Sequence, residues 1–315
     1  MLFSSLKRSC LLPLLGHIHH QYASAYDPAS GSAVSGNLDI EAPYGIPSDK
    51  FRSDTSNPDD MATFNITGYN ISSNSGPRSA LGWKLAAGIK DGVSLSDATN
   101  SSINKDQVFE ATTLYLEAPG GMKMDDSWKI CAIVYPGLNV NPSEVTATDG
   151  TCNDILSADC IQSLTVAAEG AASNGMDTNG RCTDFILPAR CTSSFPTNSI
   201  NTSSITINQT ILDNKRFYAY GSAPVNSDDT TSAVDEARQN MWTVITIFGH
   251  VSSSGVLSSG NAGIQCIRPS NGTTDASNGT SNPSDSKGTS VDVREMGHLI
   301  YSVFAVPFAW VLLSC

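Results

Sequence analysis

Apolar and polar residues alternate with the two-residue period of an extended chain over much of residues 61–269. In Met61–Ile71, Phe64 and Ile66 share one face while Asn65 and Thr67 share the other. Asn65 and Asn70 have opposite parity, so an unbroken strand cannot expose both, and Gly68 marks the expected bulge or strand end. Leu81–Ile89 predicts a second strand. Val108–Glu117 and Trp128–Tyr135 are the clearest pair, with the turn residues Pro119-Gly120-Gly121 between them. Both faces of Trp128–Tyr135 are apolar, which predicts a central, doubly buried strand. Phe185–Leu187, Ile200–Leu212, Arg216–Tyr220, Met241–Val251 and Gly263–Ile267 read as further strands, Met241–Val251 being the strongest.

One stretch has a different period. In Cys152–Gly170, Leu156, Cys160, Leu164 and Ala167 recur at helical spacing, with Thr151 or Asn153 as the N-cap and Gly170 as the stop. Residues 26–60 are rich in Ser, Pro, Asp and Gly and predict an extended arm. The expected fold is mainly β. It is a β-sandwich-like extracellular domain over residues 61–269 with a short, disulfide-pinned helical insertion.

The two ends have patterns of their own. Lys7 and Arg8 precede the short apolar run Leu11–Leu15, and Ala23-Ser24-Ala25 has the small-x-small form of a cleavage site. Residues 1–25 therefore read as a signal peptide. Leu299–Cys315 is an uncharged apolar run of 17 residues, and no Lys or Arg follows it. A polar spacer and the small residues Ser286, Gly288 and Ser290 precede it. Small attachment residue, spacer and apolar tail describe a GPI signal, with Gly288 or Ser286 as the attachment point and residues 291–315 as the discarded propeptide. Residues 270–290 are rich in Ser, Thr, Asn and Gly and read as a stalk.

Trimming both ends changes the composition in three useful ways. Of eight cysteines, Cys10 and Cys315 are lost, and an even six remain: Cys131, Cys152, Cys160, Cys182, Cys191 and Cys266. Three disulfides in an oxidising compartment are expected, with Cys152–Cys160, Cys182–Cys191 and Cys131–Cys266 as the proposed pairs among 15 combinations. The trimmed chain keeps 15 basic and 28 acidic residues, a net of −13, which argues against a nucleic-acid partner. Seven sequons then lie in the compartment where they are used: Asn65, Asn70, Asn100, Asn201, Asn208, Asn271 and Asn278.

The third change concerns chemistry. His17, His19, His20 and His298 lie in the trimmed segments, so His250 is the one histidine left. A multi-histidine zinc site is excluded, and a Ser-His-Asp triad would have to use His250, which reads instead as a strand-end residue. No cofactor and no metal is expected. Asp125-Asp126, Asp228-Asp229 and Asp235-Glu236 are the visible acid pairs, each of which reads as a solvated turn. Asp177-Thr178-Asn179-Gly180 with Asp184 lacks the full spacing and terminal Glu of a calcium loop. Trp83, Trp128 and Trp242 would serve a sugar site only with exposed rings.

The Ala23-Ser24-Ala25 leader, Trp128-Lys129-Ile130-Cys131, Cys152 with Cys160, the Trp242–Gly249 strand, Cys266 and the Ser/Thr-rich end together resemble GPI-anchored cell-surface glycoproteins of filamentous fungi. The resemblance is architectural, spans the chain and implies a location at the plasma membrane or cell wall rather than an activity. The six remaining cysteines and their spacing differ from the eight-cysteine haem-binding surface domain of fungi. The expected role is structural or adhesive and lectin-like, without catalysis, with the membrane engaged through a GPI lipid and wall glycans or surface proteins as partners. The alternative is a wall-glycan-active enzyme using paired carboxylates, which needs two acids about 5–9.5 Å apart.

Overall fold

The computed structural model describes residues 31–138, 150–174, 182, 186–195, 203–251, 257–258 and 262–269. Its strands in chain order are β1 (Ser32–Ser35), β2 (Asp60–Tyr69), β3 (Ser79–Ser94), β4 (Gln107–Glu117), β5 (Trp128–Pro136), β6 (Ser203–Ile207), β7 (Arg216–Gly221), β8 (Val225–Asn226), β9 (Trp242–Val251), β10 (Leu257–Ser258) and β11 (Ala262–Ile267). Among the described residues, four α-helices accompany them: α1 (Ser48–Asp54), α2 (Ala158–Asn174), α3 (Gln209–Asn214) and α4 (Thr230–Gln239).

The fold is mainly β, and every strand pairing is antiparallel. One sheet has the order β1-β7-β4-β3-β2, with β8 pairing on β4. The other has the order β10-β9-β5-β6, with β11 also pairing on β9. The two sheets share one core. Trp83, Leu85, Leu114, Leu116, Tyr218 and Tyr220 enter it from the first sheet, and Trp128, Ile130, Val134, Trp242, Val244 and Phe248 from the second. The arrangement is thus sandwich-like. Period-two alternation explains β2, where Ala62, Phe64 and Ile66 are buried while Met61, Thr63, Asn65 and Thr67 are exposed. A register shift between Ile66 and Gly68 supplies the bulge, and Asn70 lies just beyond the strand.

β4 and β5, the two clearest strands in the sequence, enter different sheets. The turn between them forms at the expected glycines, where the Met122 amide donates to the Pro119 carbonyl at 3.1 Å and Gly121 has φ +72°. β5 lies between β9 and β6, as its doubly apolar pattern requires.

A second core explains that double burial. Leu156, Cys160, Leu164 and Ala168 cover the outer face of the second sheet, against Ile133, Tyr135, Ile245, Ile247 and Cys266. The helix begins later than expected. Residues 152–156 form a turn, and Ser157 caps α2 by accepting from the Cys160 amide at 3.2 Å. Neither Thr151 nor Asn153 is the cap, α2 runs through Gly170, and Ala168 rather than Ala167 is buried.

The six cysteines among the described residues are all bonded, in pairs that correct all three expected ones: Cys131–Cys182, Cys152–Cys266 and Cys160–Cys191. The excluded long bridge shows the reason. Cys131 lies level with Ile247 of β9 and Ala262 of β11, whereas Cys266 lies level with Thr243. An intervening strand and four residues along it place Cys131 and Cys266 more than about 7 Å apart, beyond disulfide reach. The local pairs fail because each partner faces elsewhere. Cys152 faces β11, Cys160 faces the short 3-10 turn Ala189–Cys191, and Cys182 faces β5. The bonds therefore staple the chain between β5 and β6 to the sheet and to itself.

The expected extended arm is a third layer of core. Leu38, Ala42, Ile46 and Phe51 are buried on the outer face of the first sheet, against Val93, Leu95, Phe109, Ala111 and Ala219. β1 pairs with β7 from Ser32 onward. Tyr44 sits in the left-handed region at φ +59° and stacks edge-on against Phe109, with centroids 5.0 Å apart. Its hydroxyl donates to the Ser222 carbonyl. Gly221 makes room for this approach, because a Cβ there would lie 2.7 Å from Phe109 and 2.8 Å from Tyr44.

Two other expected strands are corrected. The Ile200–Leu212 segment ends its strand at Ile207, and Asn208 then caps α3 by accepting from the Ile211 amide at 3.0 Å. Ile186 and Leu187 are in no strand, and Phe185 lies outside the described residues.

Candidate functional site

A cluster of acids and bases lies where β3 bulges at one end of the first sheet. The register of β3 on β4 shifts between Lys90 and Val93, and Gly92 supplies the left-handed backbone at φ +61°. Asp59, just before β2, closes over the bulge. Its carboxylate accepts from Lys90 Nζ at 2.7 Å and from the Asp91 amide at 2.8 Å. Asp60, the first residue of β2, is buried and accepts from Arg238 Nε of α4 at 2.6 Å. Arg238 also lies 3.9 Å from Asp91 and 3.7 Å from Asp235.

Glu110 of β4 completes the cluster and is only 1% exposed. Its amide donates to Ser222 Oγ at 2.9 Å, and its Oε1 accepts from the Gly92 amide at 3.3 Å. It lies opposite the bulge that carries Asp91, because Lys90 pairs with Ala111 and Val93 with Phe109. Burial, the Asp91 contact and the Asp91 charge push the Glu110 pKa up to about 8, against a smaller opposing effect of the Gly92 amide. For Asp59, burial acts upward, but the bonds from Lys90 and the Asp91 amide outweigh it and leave the carboxyl below its usual value. The bond to Asp60 raises Arg238 further. A depression of about 250 Å³ adjoins the bulge and is lined by Lys50, Asp54 and residues 90–94.

This arrangement is suited to holding charge and protons within the protein. Among the described residues, no group of three or more His, Cys, Asp or Glu side chains is placed to hold a metal ion. Sequence reasoning missed this cluster because its members come from positions 59 to 238 and no short motif contains them.

The acid pairs visible in sequence lie elsewhere. Asp125 accepts from the amide and hydroxyl of Ser127 at 3.0 and 2.5 Å, which lowers its pKa and forms a tight turn before β5. Asp126, Asp228, Asp229, Asp235 and Glu236 are exposed. Residues 177–180 and 184 lie outside the described residues. His250 is buried at the end of β9 and meets Trp128 edge-on at 5.0 Å. Trp83, Trp128 and Trp242 are fully buried, which removes them as sugar-stacking platforms. Trp83 Nε1 donates to the Tyr69 carbonyl and Trp128 Nε1 to the Ser73 carbonyl.

Of the sequon asparagines, Asn65, Asn100 and Asn208 are exposed and Asn70 is half-buried. Asn70, Asn100 and Asn208 each use Oδ1 to accept a nearby backbone amide, leaving Nδ2, the atom a glycan would join, out of that bond. Asn201, Asn271, Asn278, Ser286 and Gly288 lie outside the described residues, as do both proposed processing segments and the stalk. No described helix is long and apolar enough to cross a membrane. Compared with protein-family models, curated proteins and solved structures, the chain matches none.

Proposed function

We propose that this chain is a secreted, N-glycosylated surface protein, tethered by a GPI lipid and serving a structural or adhesive role at the membrane or cell wall. The observation that carries the reading is the cysteine pairing. The six cysteines among the described residues form three disulfides, with none of those six left over. A cytosolic chain would be kept reduced, so three structural disulfides favour an oxidising compartment. The exposed sequons support the same compartment, and the pattern at residues 286–315 supports the lipid tether. Contacts with wall glycans or surface proteins would use the polar outer surface, since the three tryptophans are internal.

Treatment of intact cells with a phosphatidylinositol-specific phospholipase tests the tether. Release of a protein whose mass then falls on N-glycosidase treatment is the expected result. Retention on the cell, or no glycosidase shift, contradicts the reading.

A further inference from the structure

We propose that a glycan on Asn65 keeps the open edge of β2 from pairing with the β2 edge of a second copy of this chain. The inference rests on the N-glycosylated reading above and gives one of its sugars a task. β2 ends the first sheet and pairs with β3 alone. Its ten residues make it the longest end strand described; β1 has four, β6 five, β10 two and β11 six. Among the described residues, none outside β3 hydrogen-bonds to the backbone of Met61–Gly68. The register on β3 is unbroken from Asp60 to Ile66, and the bulge comes only after it. This regular stretch presents a row of unpaired amides and carbonyls, the template onto which another strand adds.

The usual deterrents are missing from this edge. Met61–Tyr69 contains no Lys, Arg or Pro and carries no charge. Thr63, Phe64, Ile66 and Thr67 suit it to an extended chain. Two of the shorter end strands are held by neighbours instead. The Cys182 amide donates to Thr206 Oγ1 of β6 at 3.2 Å, and the Cys266 amide of β11 donates to the Gly150 carbonyl at 3.0 Å. Asn65 stands inside the regular stretch of β2 and is exposed on its outer face. Its partner on β3 is the exposed Lys84, a flexible side chain that can lean aside. On an added strand, the side chain opposite Asn65 would stand about 4.5–5.5 Å away on the same face, in the space a branched glycan fills. Isologous pairing of two β2 edges is antiparallel, so each copy would bring its own Asn65 glycan against the other. Without the sugar, the same symmetry closes a dimer.

Light scattering of the purified, disulfide-bonded glycoprotein over a concentration series tests the guard. The native protein should carry a glycan on Asn65 by peptide mapping and stay monomeric. Thr67→Ala removes that glycan at an exposed position, and its mass should double as concentration rises. Thr210→Ala, which removes the glycan at Asn208, should remain a monomer. Enzymatic removal of the sugars from the folded native protein should give the same doubling, and it decides the point if Thr67→Ala does not fold. Adding Thr63→Lys to Thr67→Ala puts a charge on the exposed side of the open edge and should restore the monomer. A native monomer with a bare Asn65 would overturn the guard while sugars at other sequons keep the surface reading in place; no sugar at any sequon would overturn both. A glycan on Asn65 with Thr67→Ala monomeric at every concentration would overturn the guard alone. Doubling that persists with Thr63→Lys would overturn β2 as the pairing edge.

Discussion

Replacing Cys152 and Cys266 together with alanine removes the bond that closes the longest loop, 114 residues. In the chain-entropy model, a loop of that length stabilises the fold by about 5 kcal/mol at 25 °C. The loops of 51 and 31 residues closed by Cys131–Cys182 and Cys160–Cys191 give about 4 kcal/mol each in the same model. For a domain of this size, about 5 kcal/mol corresponds to a fall in Tm of roughly 10–20 °C. The assay is a thermal melt of the purified double variant under non-reducing conditions, together with a thiol count in denaturant. Cys152→Ala with Cys266→Ala should show no free thiol and a Tm lowered by that amount. Cys152→Ala with Cys160→Ala should instead show two free thiols, from Cys266 and Cys191. The reverse pattern of thiols would refute the pairing. An unchanged Tm in the first variant would refute the claim that this bond restrains the unfolded chain.

Trp242→Ala should destabilise the protein by about 3–5 kcal/mol, read as a lower denaturant midpoint, because Trp242 is fully buried among Tyr218, Tyr220 and Val244. Thr210→Ala should abolish the glycan at Asn208 without loss of α3, while Asn208→Ala should lose both the glycan and about 1 kcal/mol of capping; mass spectrometry and melts separate the two. Glu110 binds its proton more tightly folded than unfolded, so its contribution is complete below about pH 4 and declines as pH rises toward about 8. Wild-type stability should therefore fall by up to about 1.4 kcal/mol per pH unit across that window, and denaturant titrations should show a flatter profile in Glu110→Gln. Gly221→Ala should cost about 1–3 kcal/mol by pressing on Phe109 and Tyr44, measured as a shift in midpoint.

The strands were legible because burial imposes period two on β2 and apolar residues on both faces of β5 and β9. The helix was legible as a period but not as a boundary. The turn at residues 152–156 places Leu156 in phase with Cys160 and Leu164, and the cap is the less conspicuous Ser157. α1 and α3 have seven and six residues, too few for a periodic stripe to stand out, and they depend on tertiary contacts through Phe51, Ile211 and Leu212. The N-terminal segment misled because its Ser and Pro residues dilute Leu38, Ala42, Ile46 and Phe51, whose spacing nevertheless delivers all four to one sheet face. Disulfide partners and the Asp59, Asp60, Asp91, Glu110 and Arg238 cluster follow from topology, which joins positions distant along the chain.

Peptide mapping of the native protein taken from the cell surface, without reduction, tests the central account most directly. It predicts a chain beginning at Tyr26, ending at Ser286 or Gly288 with a glycolipid, and containing three disulfides and no free thiol. A mature protein that retains peptides from residues 299–315, or that carries reduced cysteines among the six, would contradict it.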